Sequence, residues 1–265
     1  RMLNCTFRNL TAEGGWVAWG VFGTNLNKNF TVENCRLNRI DVHFHCWNLY
    51  IRNSTIGFKG ISVTGGGDLV IENTTRHGNS FVNFRRDYGA KWDGDIRLRG
   101  CTLKPSGNGS VSVLSYKPDN FDYQYPIGFG RSIKIEDLTI DYSAAPESDA
   151  PCWLMDTVSF SKTDNGTRLF FPTSITFQNI AVKGREKGVR LIRIPNPHHY
   201  DLGQNGDYDE NQLKTNCTLI CNNVQLEELI PENPGDTKAV HLLIGEKTTR
   251  DYADSLALYP EIHFT

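Results

Sequence analysis

Two short stretches of the sequence hold most of the residues that could do chemistry. The first, IDVHFH at residues 40–45, alternates apolar residues with Asp41, His43 and His45. The second combines cations, aromatic rings and acids, namely Arg85, Arg86, Asp87, Tyr88, Lys91, Trp92, Asp93 and Asp95. Carboxylates and imidazoles transfer protons near neutral pH, while arginine, lysine and aromatic side chains hold anionic or ring-containing ligands. These stretches are therefore the first candidates for a functional site.

A recurrent six-residue pattern indicates which elements position these residues. Two apolar residues alternate with variable ones, and Asn, Asp or Gly follows at the fifth position. Eight complete copies occur, at residues 5–10, 30–35, 49–54, 69–74, 96–101, 133–138, 175–180 and 219–224. The fifth position holds Asn in six copies, and Asp137 and Gly100 in the other two. Since these residue types tolerate a left-handed turn, each copy predicts a strand, a one-residue turn and a second strand.

Stacked copies of this unit form a solenoid. The closest copies lie about 20 residues apart, a length typical of one structural repeat. Inserted loops near residues 104–131, 142–173, 194–216 and 227–239 explain the longer intervals. The sequence thus predicts an all-β fold, a single-stranded right-handed parallel β-helix over residues 1–265, in which asparagine side chains stack from coil to coil.

Two further expectations accompany the β-helix. An antiparallel sandwich, the main rival fold, would need turns about every 8–12 residues and gives no reason for the recurrent Asn. Both ends of the chain fall inside a repeat, and uncapped coils expose strand edges. We therefore expect the chain to be a portion of a longer one.

The β-helix also brings the two stretches close together. If the apolar residues of IDVHFH point inward, Asp41, His43 and His45 point outward. Asp41 and Asp87 would then lie about two coils apart, roughly 9.6 Å along the stack. Carboxyl separations of about 6.5–9.5 Å suit inverting glycoside hydrolysis, in which one acid protonates the leaving oxygen and the other activates water. Asp41 and Asp87 are the candidate pair, with His43 assisting; the alternative is that Asp41 is a solvated strand residue.

Composition limits the class of protein. The formal net charge of −2 over 265 residues gives no field that recruits nucleic acid or an acidic membrane. No stretch approaches the roughly 20 apolar residues of a membrane span, so we expect no membrane insertion. The seven cysteines show no paired CxxC spacing, and in a chain of this length they are expected to be buried thiols.

Metal binding is the less favoured interpretation of the histidines and acids. His43 and His45 could chelate a metal from one strand, but no third ligand is evident. The stretch DLGQNGDYDENQ is superficially like a calcium loop, yet it has Gly203 at the third position and Gln212 where a bidentate Glu belongs. We expect no cofactor, with calcium in that loop as the alternative.

The second stretch also resembles a known family. RRDYGAKWDGDI is similar to a run in phage tail-spike and preneck-appendage proteins of the pectate-lyase-like β-helix superfamily. The matching positions are Arg86, Asp87, Tyr88, Gly89, Trp92, Gly94 and Asp95. The resemblance implies a homotrimeric component of the virion tail that binds and often degrades a bacterial surface polysaccharide or teichoic acid. It leaves the catalytic pair open, because family members place their acids within one chain or between chains.

Several functions remain open at this point. A glycoside hydrolase would use Asp41, His43 and Asp87 for catalysis and bind its substrate through His45, Arg85, Arg86, Tyr88, Lys91, Trp92, Asp93 and Asp95. A non-catalytic adhesin would use the same surface. A calcium-assisted lyase or a teichoic-acid phosphodiesterase is a further alternative, as is a secreted or cell-surface location.

Overall fold

The computed structural model describes residues 2–3, 6–8, 25–42, 44–85, 90–116, 127–157, 169–170, 172–194, 216–233, 236, 239–244 and 261–264. In this part of the chain every regular element is a strand, and every strand pairing is parallel. Hydrogen bonds link nineteen strands into one array, and two more strands form a separate pair. These residues include no helix of the length and apolarity needed to cross a membrane.

The strands of the first face carry the six-residue repeat and continue along the whole stack. They are β1 (Met2–Leu3), β2 (Thr6–Arg8), β3 (Asn25–Glu33), β5 (Phe44–Arg52), β7 (Gly65–Glu72), β10 (Trp92–Arg99), β14 (Ser132–Asp141), β17 (Ser174–Lys183), β19 (Asn216–Val224) and β21 (Glu261–Phe264). β1 and β2 both pair with β3, and from β3 onward each strand pairs with the next one named.

Each coil then continues onto a second and a third face. The second face contains β4 (Arg36–Asp41), β6 (Thr55–Val63), β8 (Thr75–His77), β11 (Thr102–Lys104) and the ends of β14 and β17. The third face contains the ends of β4 and β6, then β9 (Ser80–Phe84), β12 (Val111–Tyr116), β15 (Cys152–Thr157), β18 (Arg190–Ile194) and β20 (Leu242–Ile244). β13 (Ile127–Gly128) pairs with β16 (Leu169–Phe170). The predicted all-β, parallel β-helix is confirmed.

The interior consists of apolar columns that repeat from coil to coil. One column of the first face holds Val32, Ile51, Ile71, Leu98, Ile135 and Phe177, and the next holds Phe30, Leu49, Leu69, Ile96, Ile133, Ile175 and Leu219. All of these side chains are at most 1% exposed. Because burying one such side chain contributes roughly 1.5–3 kcal/mol, the columns are the main stabilising feature of the fold.

The corner between the first and second faces is the predicted left-handed turn. The backbone φ angle lies between 47° and 63° at Asn34, Asn53, Asn73, Gly100, Asp137, Asn179 and Asn223. Asn179 Nδ2 donates to Asp137 Oδ1 at 2.9 Å, and Asn223 Nδ2 donates to Asn179 Oδ1 at 2.9 Å. Gly100 has no side chain and therefore interrupts the ladder between Asn73 and Asp137. A Cβ at this position would lie 2.6 Å from Asn73 Oδ1. The ladder predicted from the recurrent Asn is therefore confirmed at these positions.

One core column contains a charged residue. Arg76 lies in register between Ile56 and Leu103 and is 2% exposed. Its guanidinium donates to the carbonyl groups of Gly57 at 2.8 Å and Phe58 at 3.4 Å. Burial lowers the Arg76 pKa to about 10. The arginine thus satisfies carbonyl groups of the preceding coil instead of contributing an apolar side chain.

The cysteines in the described part of the chain are thiols rather than cross-links. Six of them lie among the described residues, and all six are free. Five of these are buried, and burial raises the pKa of Cys46 to about 12. The prediction of buried thiols is confirmed for this part of the chain.

The outward side of the third face has its own column, which we call the polar row. In register it contains Asp41, Ser62, Asn83, Ser115, Asp156 and Arg193. Asp41 and Asp156 are only 4% and 0% exposed. The polar row therefore buries two carboxylates outside the apolar core, and both need partners there.

The ladder gives a direct stability prediction. Asn179→Ala should lower the free energy of unfolding by about 2–3 kcal/mol, because alanine is strained at φ 52° and two ladder hydrogen bonds are lost. Asn179→Gly keeps the turn and should cost only about 1 kcal/mol. Urea unfolding followed by circular dichroism measures both, with the exposed Lys183→Ala as control. Equal losses for the alanine and glycine variants would contradict the importance of the left-handed backbone.

Candidate functional site

The corner at which the third face passes into the first brings several predicted residues together. β5 supplies His45, and Lys91 and Asp93 lie at the start of β10. The backbone N–H of Ala90 donates to the Arg85 carbonyl at 2.8 Å, so Arg85 and Ala90 lie next to each other where the two faces meet. We call the following residues the corner site: Arg39, Asp41, His45, Trp47, Arg85, Lys91 and Asp93.

An exposed tryptophan is the largest apolar surface of the corner site. Trp47 is in register with Gly66, which in turn is in register with Asp93. The residue is 46% exposed and lies against Gly66, where an added Cβ would be 2.8 Å from the ring atom Cζ3. The indole therefore packs on bare backbone and presents aromatic surface to solvent.

Ionisable groups flank this tryptophan. Lys91 Nζ donates to Asp93 Oδ2 at 2.8 Å, and Asp93 is the more exposed side chain of the pair. Burial lowers the His45 pKa, the Lys91 ammonium lowers it further, and the Asp93 carboxylate partly opposes both effects. At neutral pH, His45 is thus an uncharged imidazole that donates and accepts hydrogen bonds.

Asp41 occupies the outward side of its strand but is not exposed. Arg39 and Arg85 both donate to its carboxylate, with Arg85 Nη1 at 2.5 Å from Oδ1. The expectation of a solvated, outward carboxylate is corrected, because guanidinium groups from two coils cover the side chain and leave it 4% exposed. Its role as a catalytic acid or base stays a prediction.

Trp92 belongs to the core rather than to a ligand-binding surface. It is 0% exposed, and its indole N–H donates to the Gly67 carbonyl at 3.0 Å. The expectation that Trp92 contacts substrate is corrected, since a fully buried ring has no face available for a sugar. The Arg-Asp-Tyr-Gly…Trp motif thus contributes packing at this position.

Asp95 lies further along β10 and is held by the next coil. Arg131 donates to it through Nε at 3.0 Å and also through Nη2, and Ser132 Oγ donates at 2.7 Å. The hydrogen bond from Arg131 is the main reason why the Asp95 pKa is lowered. These contacts link two coils, and a role in substrate binding stays a prediction.

Four of the candidate site residues lie outside the described part of the chain, namely His43, Arg86, Asp87 and Tyr88, and so does Gly89 of the motif. The separation between the carboxyl groups of Asp41 and Asp87 therefore stays a prediction. The possible calcium loop at residues 201–212 also lies outside it. Among the described residues, no three His, Cys, Asp or Glu side chains lie close enough together to hold a metal ion.

Sequence reasoning missed two members of the corner site. Trp47 lies on β5, which pairs with the glycine run 65–67 of β7. Glycines one coil away from a tryptophan leave room for its ring on the outer surface, and this spacing could have indicated an aromatic binding surface. Arg39 precedes Asp41 by two residues on one strand, a spacing that places both side chains on the same side. Asp156 and Arg193, which pair on the later coils of the third face, were also not expected from the sequence.

Fold and corner site together define a parallel β-helix with an aromatic side chain and charged groups on its outer surface. In a comparison with known proteins, 112 residues are 29% identical to a capsule KL64-specific depolymerase of Klebsiella phage P510. The match covers 38% of this chain and spans 11% of that protein's length. No family model matches the chain, and no solved structure matches it. The chain is thus distantly similar to a phage depolymerase.

The burial of His45 predicts how stability depends on pH. Because burial lowers its pKa in the folded state, the unfolded chain binds more protons below the ordinary histidine pKa of about 6.5. The free energy of unfolding should therefore fall as the pH drops from about 6.5 toward the lowered value. His45→Gln should remove part of this fall in urea unfolding measured across that range.

His77 and His241 contribute to the same pH dependence with the same sign, because burial lowers their pKa values too. The informative quantity is therefore the difference between the wild type and His45→Gln. Identical pH dependence in the two proteins would contradict the burial of His45.

Proposed function

We propose that this chain is the β-helix part of a phage tail-spike-like protein that binds a bacterial surface polysaccharide and cleaves it. The observation that carries the proposal is the exposed Trp47 indole, flanked by His45 and the Lys91–Asp93 pair on the outside of the β-helix. The distant similarity to a phage protein named as a capsule depolymerase supports this class of substrate. On this proposal the protein acts at the virion tail, outside the host cell, as a homotrimer.

The corner site has the chemistry that an acidic polysaccharide requires. Sugar rings stack their C–H faces on an indole, and their hydroxyl groups bond to imidazole and carboxylate groups. Arg39 and Arg85 share the single carboxylate of Asp41 and so leave one net positive charge for an acidic sugar, while Lys91 is balanced by Asp93. Because successive coils are spaced by about 4.8 Å, neighbouring outward positions offer further contacts to an extended chain.

For cleavage we propose glycoside hydrolysis by Asp41 and Asp87, with His43 assisting. The guanidinium groups of Arg39 and Arg85 hold the Asp41 carboxylate in one orientation, and one acid of the pair would protonate the leaving oxygen while the other activates water. Receptor binding without catalysis is the second candidate function. It is favoured by the burial of Asp41, because a carboxylate that is 4% exposed reaches a substrate only if the arginines move.

Binding at the corner site is tested by two substitutions. Trp47→Ala should weaken binding about 3- to 10-fold, which corresponds to the roughly 0.5–1.5 kcal/mol of an aromatic contact. Gly66→Ala should also weaken it while keeping the indole, because a Cβ would meet both the Trp47 ring and the Asp93 backbone carbonyl at 2.8 Å. Calorimetry on a panel of purified acidic capsular polysaccharides measures the affinities. Phe58→Ala is the matched control, since Phe58 is 37% exposed but outside the corner site; equal effects of Phe58→Ala and Trp47→Ala would refute the assignment.

Cleavage is tested on the same panel. New reducing ends without other changes indicate a hydrolase. Absorbance from unsaturated uronates indicates a lyase, and release of glycerol phosphate indicates a phosphodiesterase. Asp41→Asn and Asp87→Asn should each lower the hydrolysis rate by at least about 100-fold. Thermal unfolding is recorded in parallel, because Asp41→Asn disturbs the two arginines, and the exposed Asp68→Asn is the control. Cleavage that survives in both variants would contradict the catalytic pair, and binding without cleavage would favour the receptor-binding function.

A further inference from the structure

The indole of Trp47 lies flat on the backbone of the next coil. A Cβ added at Gly66 would be 2.8 Å from Cζ3 and 3.2 Å from Cε3 of the ring, and a Cβ added at Gly67 would be 3.2 Å from Cε2. The ring therefore covers two successive glycines with one of its faces. Because Trp47 is 46% exposed, the opposite face is open to solvent. This open face is a flat surface on which a sugar ring can stack.

A lysine lies beside this ring on the preceding coil. Lys28 of β3 is in register with Trp47 of β5, so their Cα atoms are about 4.8 Å apart. Lys28 is exposed while Asn27 is buried, so the lysine side chain points outward like the indole. Among the described residues, no acidic side chain forms an ion pair with Lys28. Its ammonium group is thus available for a ligand on the indole.

The opposite side of the indole carries the opposite charge. β7 lies on the other side of β5 from β3, and its Asp68 is exposed. The carboxylate of Asp68 accepts a hydrogen bond from the Tyr50 hydroxyl at 3.4 Å. An anionic group above the indole is therefore attracted toward Lys28 and repelled by Asp68. The charges on the two sides determine how an acidic ligand lies on the ring.

The same edge of the site also has apolar surface. Leu26 lies two residues before Lys28 on the same side of β3 and is 54% exposed. An indole face, an aliphatic side chain and an ammonium group together match a ring that has apolar C–H faces and one acidic substituent at its edge.

We propose that Lys28 and Trp47 form the subsite for a uronic acid residue of the polysaccharide. The inference rests on the function proposed above, because it assigns one sugar of the polymer to the corner site. The pyranose ring stacks on the indole, and the carboxylate at its edge accepts a hydrogen bond from the Lys28 ammonium group, which the flexible stem of the lysine brings above the plane of the ring. Glycerol phosphate carries negative charge without a ring, so a teichoic acid fits this subsite poorly.

The test uses the full chain and two sugars that differ only at the acidic group. Methyl glucuronide and methyl glucoside are titrated separately against isotope-labelled protein, and NMR follows the indole N–H signal of Trp47, which is identified by its loss in Trp47→Ala. At low ionic strength the glucuronide should bind about 3- to 5-fold more tightly than the glucoside, the effect expected for one exposed ion pair. Concentrated salt should remove this preference.

Substitutions of Lys28 test the assignment directly. Lys28→Gln should lower the affinity for the glucuronide to that for the glucoside, and Lys28→Glu should reverse the preference. Lys59→Gln is the matched control, because Lys59 is also exposed and its ammonium group lies 5.4 Å from the ring centre of Phe58, outside the corner site. This variant should bind both sugars like the wild type. Circular dichroism verifies that each variant is folded.

Several results would overturn the inference. They are an unchanged Trp47 signal in the presence of the glucuronide, equal affinity for the two sugars, and equal effects of Lys28→Gln and Lys59→Gln. A glycerol phosphate titration that shifts the Trp47 signal as strongly as the glucuronide would show recognition of charge alone and would also contradict it.

Failure of the proposed function is distinguishable from failure of this inference. The proposed function fails if no polysaccharide of the panel binds, and binding of the glucuronide at Trp47 would then support the subsite by itself. If a polysaccharide binds, its carboxyl-reduced form should bind more weakly to the wild type and equally well to Lys28→Gln and the wild type. Equal binding of the native and reduced forms to the wild type would contradict the subsite and leave the proposed function standing.

Discussion

The left-handed turn between the first and second faces is the constraint on which the rest of the structure depends. One residue per coil, with φ between 47° and 63°, bends the chain in the same way each time, so every coil returns in register with the coil before it. Asparagine tolerates this backbone conformation, and its side chain also bonds to the turn of the neighbouring coil. The apolar columns follow from that register, because a shift by one residue would move a whole column from the core to the outside.

The outer surface uses the same register to hold charged groups in place. Asp41 lies under Arg39 and Arg85, and Asp156 lies under Arg193. Burying a carboxylate costs several kcal/mol unless its partners compensate for the lost water, so such pairs add little net stability. Their effect is geometric, because each buried carboxylate holds guanidinium groups in one orientation at the surface. The buried carboxylates of the polar row thus hold the guanidinium groups of Arg39, Arg85 and Arg193 in fixed positions on the outer surface.

The sequence predicted the scaffold well because its determinants are local. A recurrent Asn and alternating apolar residues define the turn and the columns without reference to distant parts of the chain. The surface was less predictable. Alternation placed Asp41 on the outward side, but its burial depends on Arg85, which lies two coils later. Trp92 and Trp47 both lie beside the glycines of β7, yet the first is fully buried and the second exposed. Trp92 is in register with Gly65 on the inward side of the strands, whereas Trp47 is in register with Gly66 on the outward side.

The length of the coils changes along the stack. The early coils contain about 20 residues each, the minimum for such a repeat, and Trp47 remains 46% exposed there. The later coils are about twice as long, and the outward third-face residues Ser115 and Asp156 are 2% and 0% exposed. Residues 226–233 follow the repeat at 219–224 and add Glu227, Glu228 and Glu232 to an open cleft beside Arg190. Coil length therefore sets how much surface is added to the scaffold, while the register of the strands sets which residues face outward.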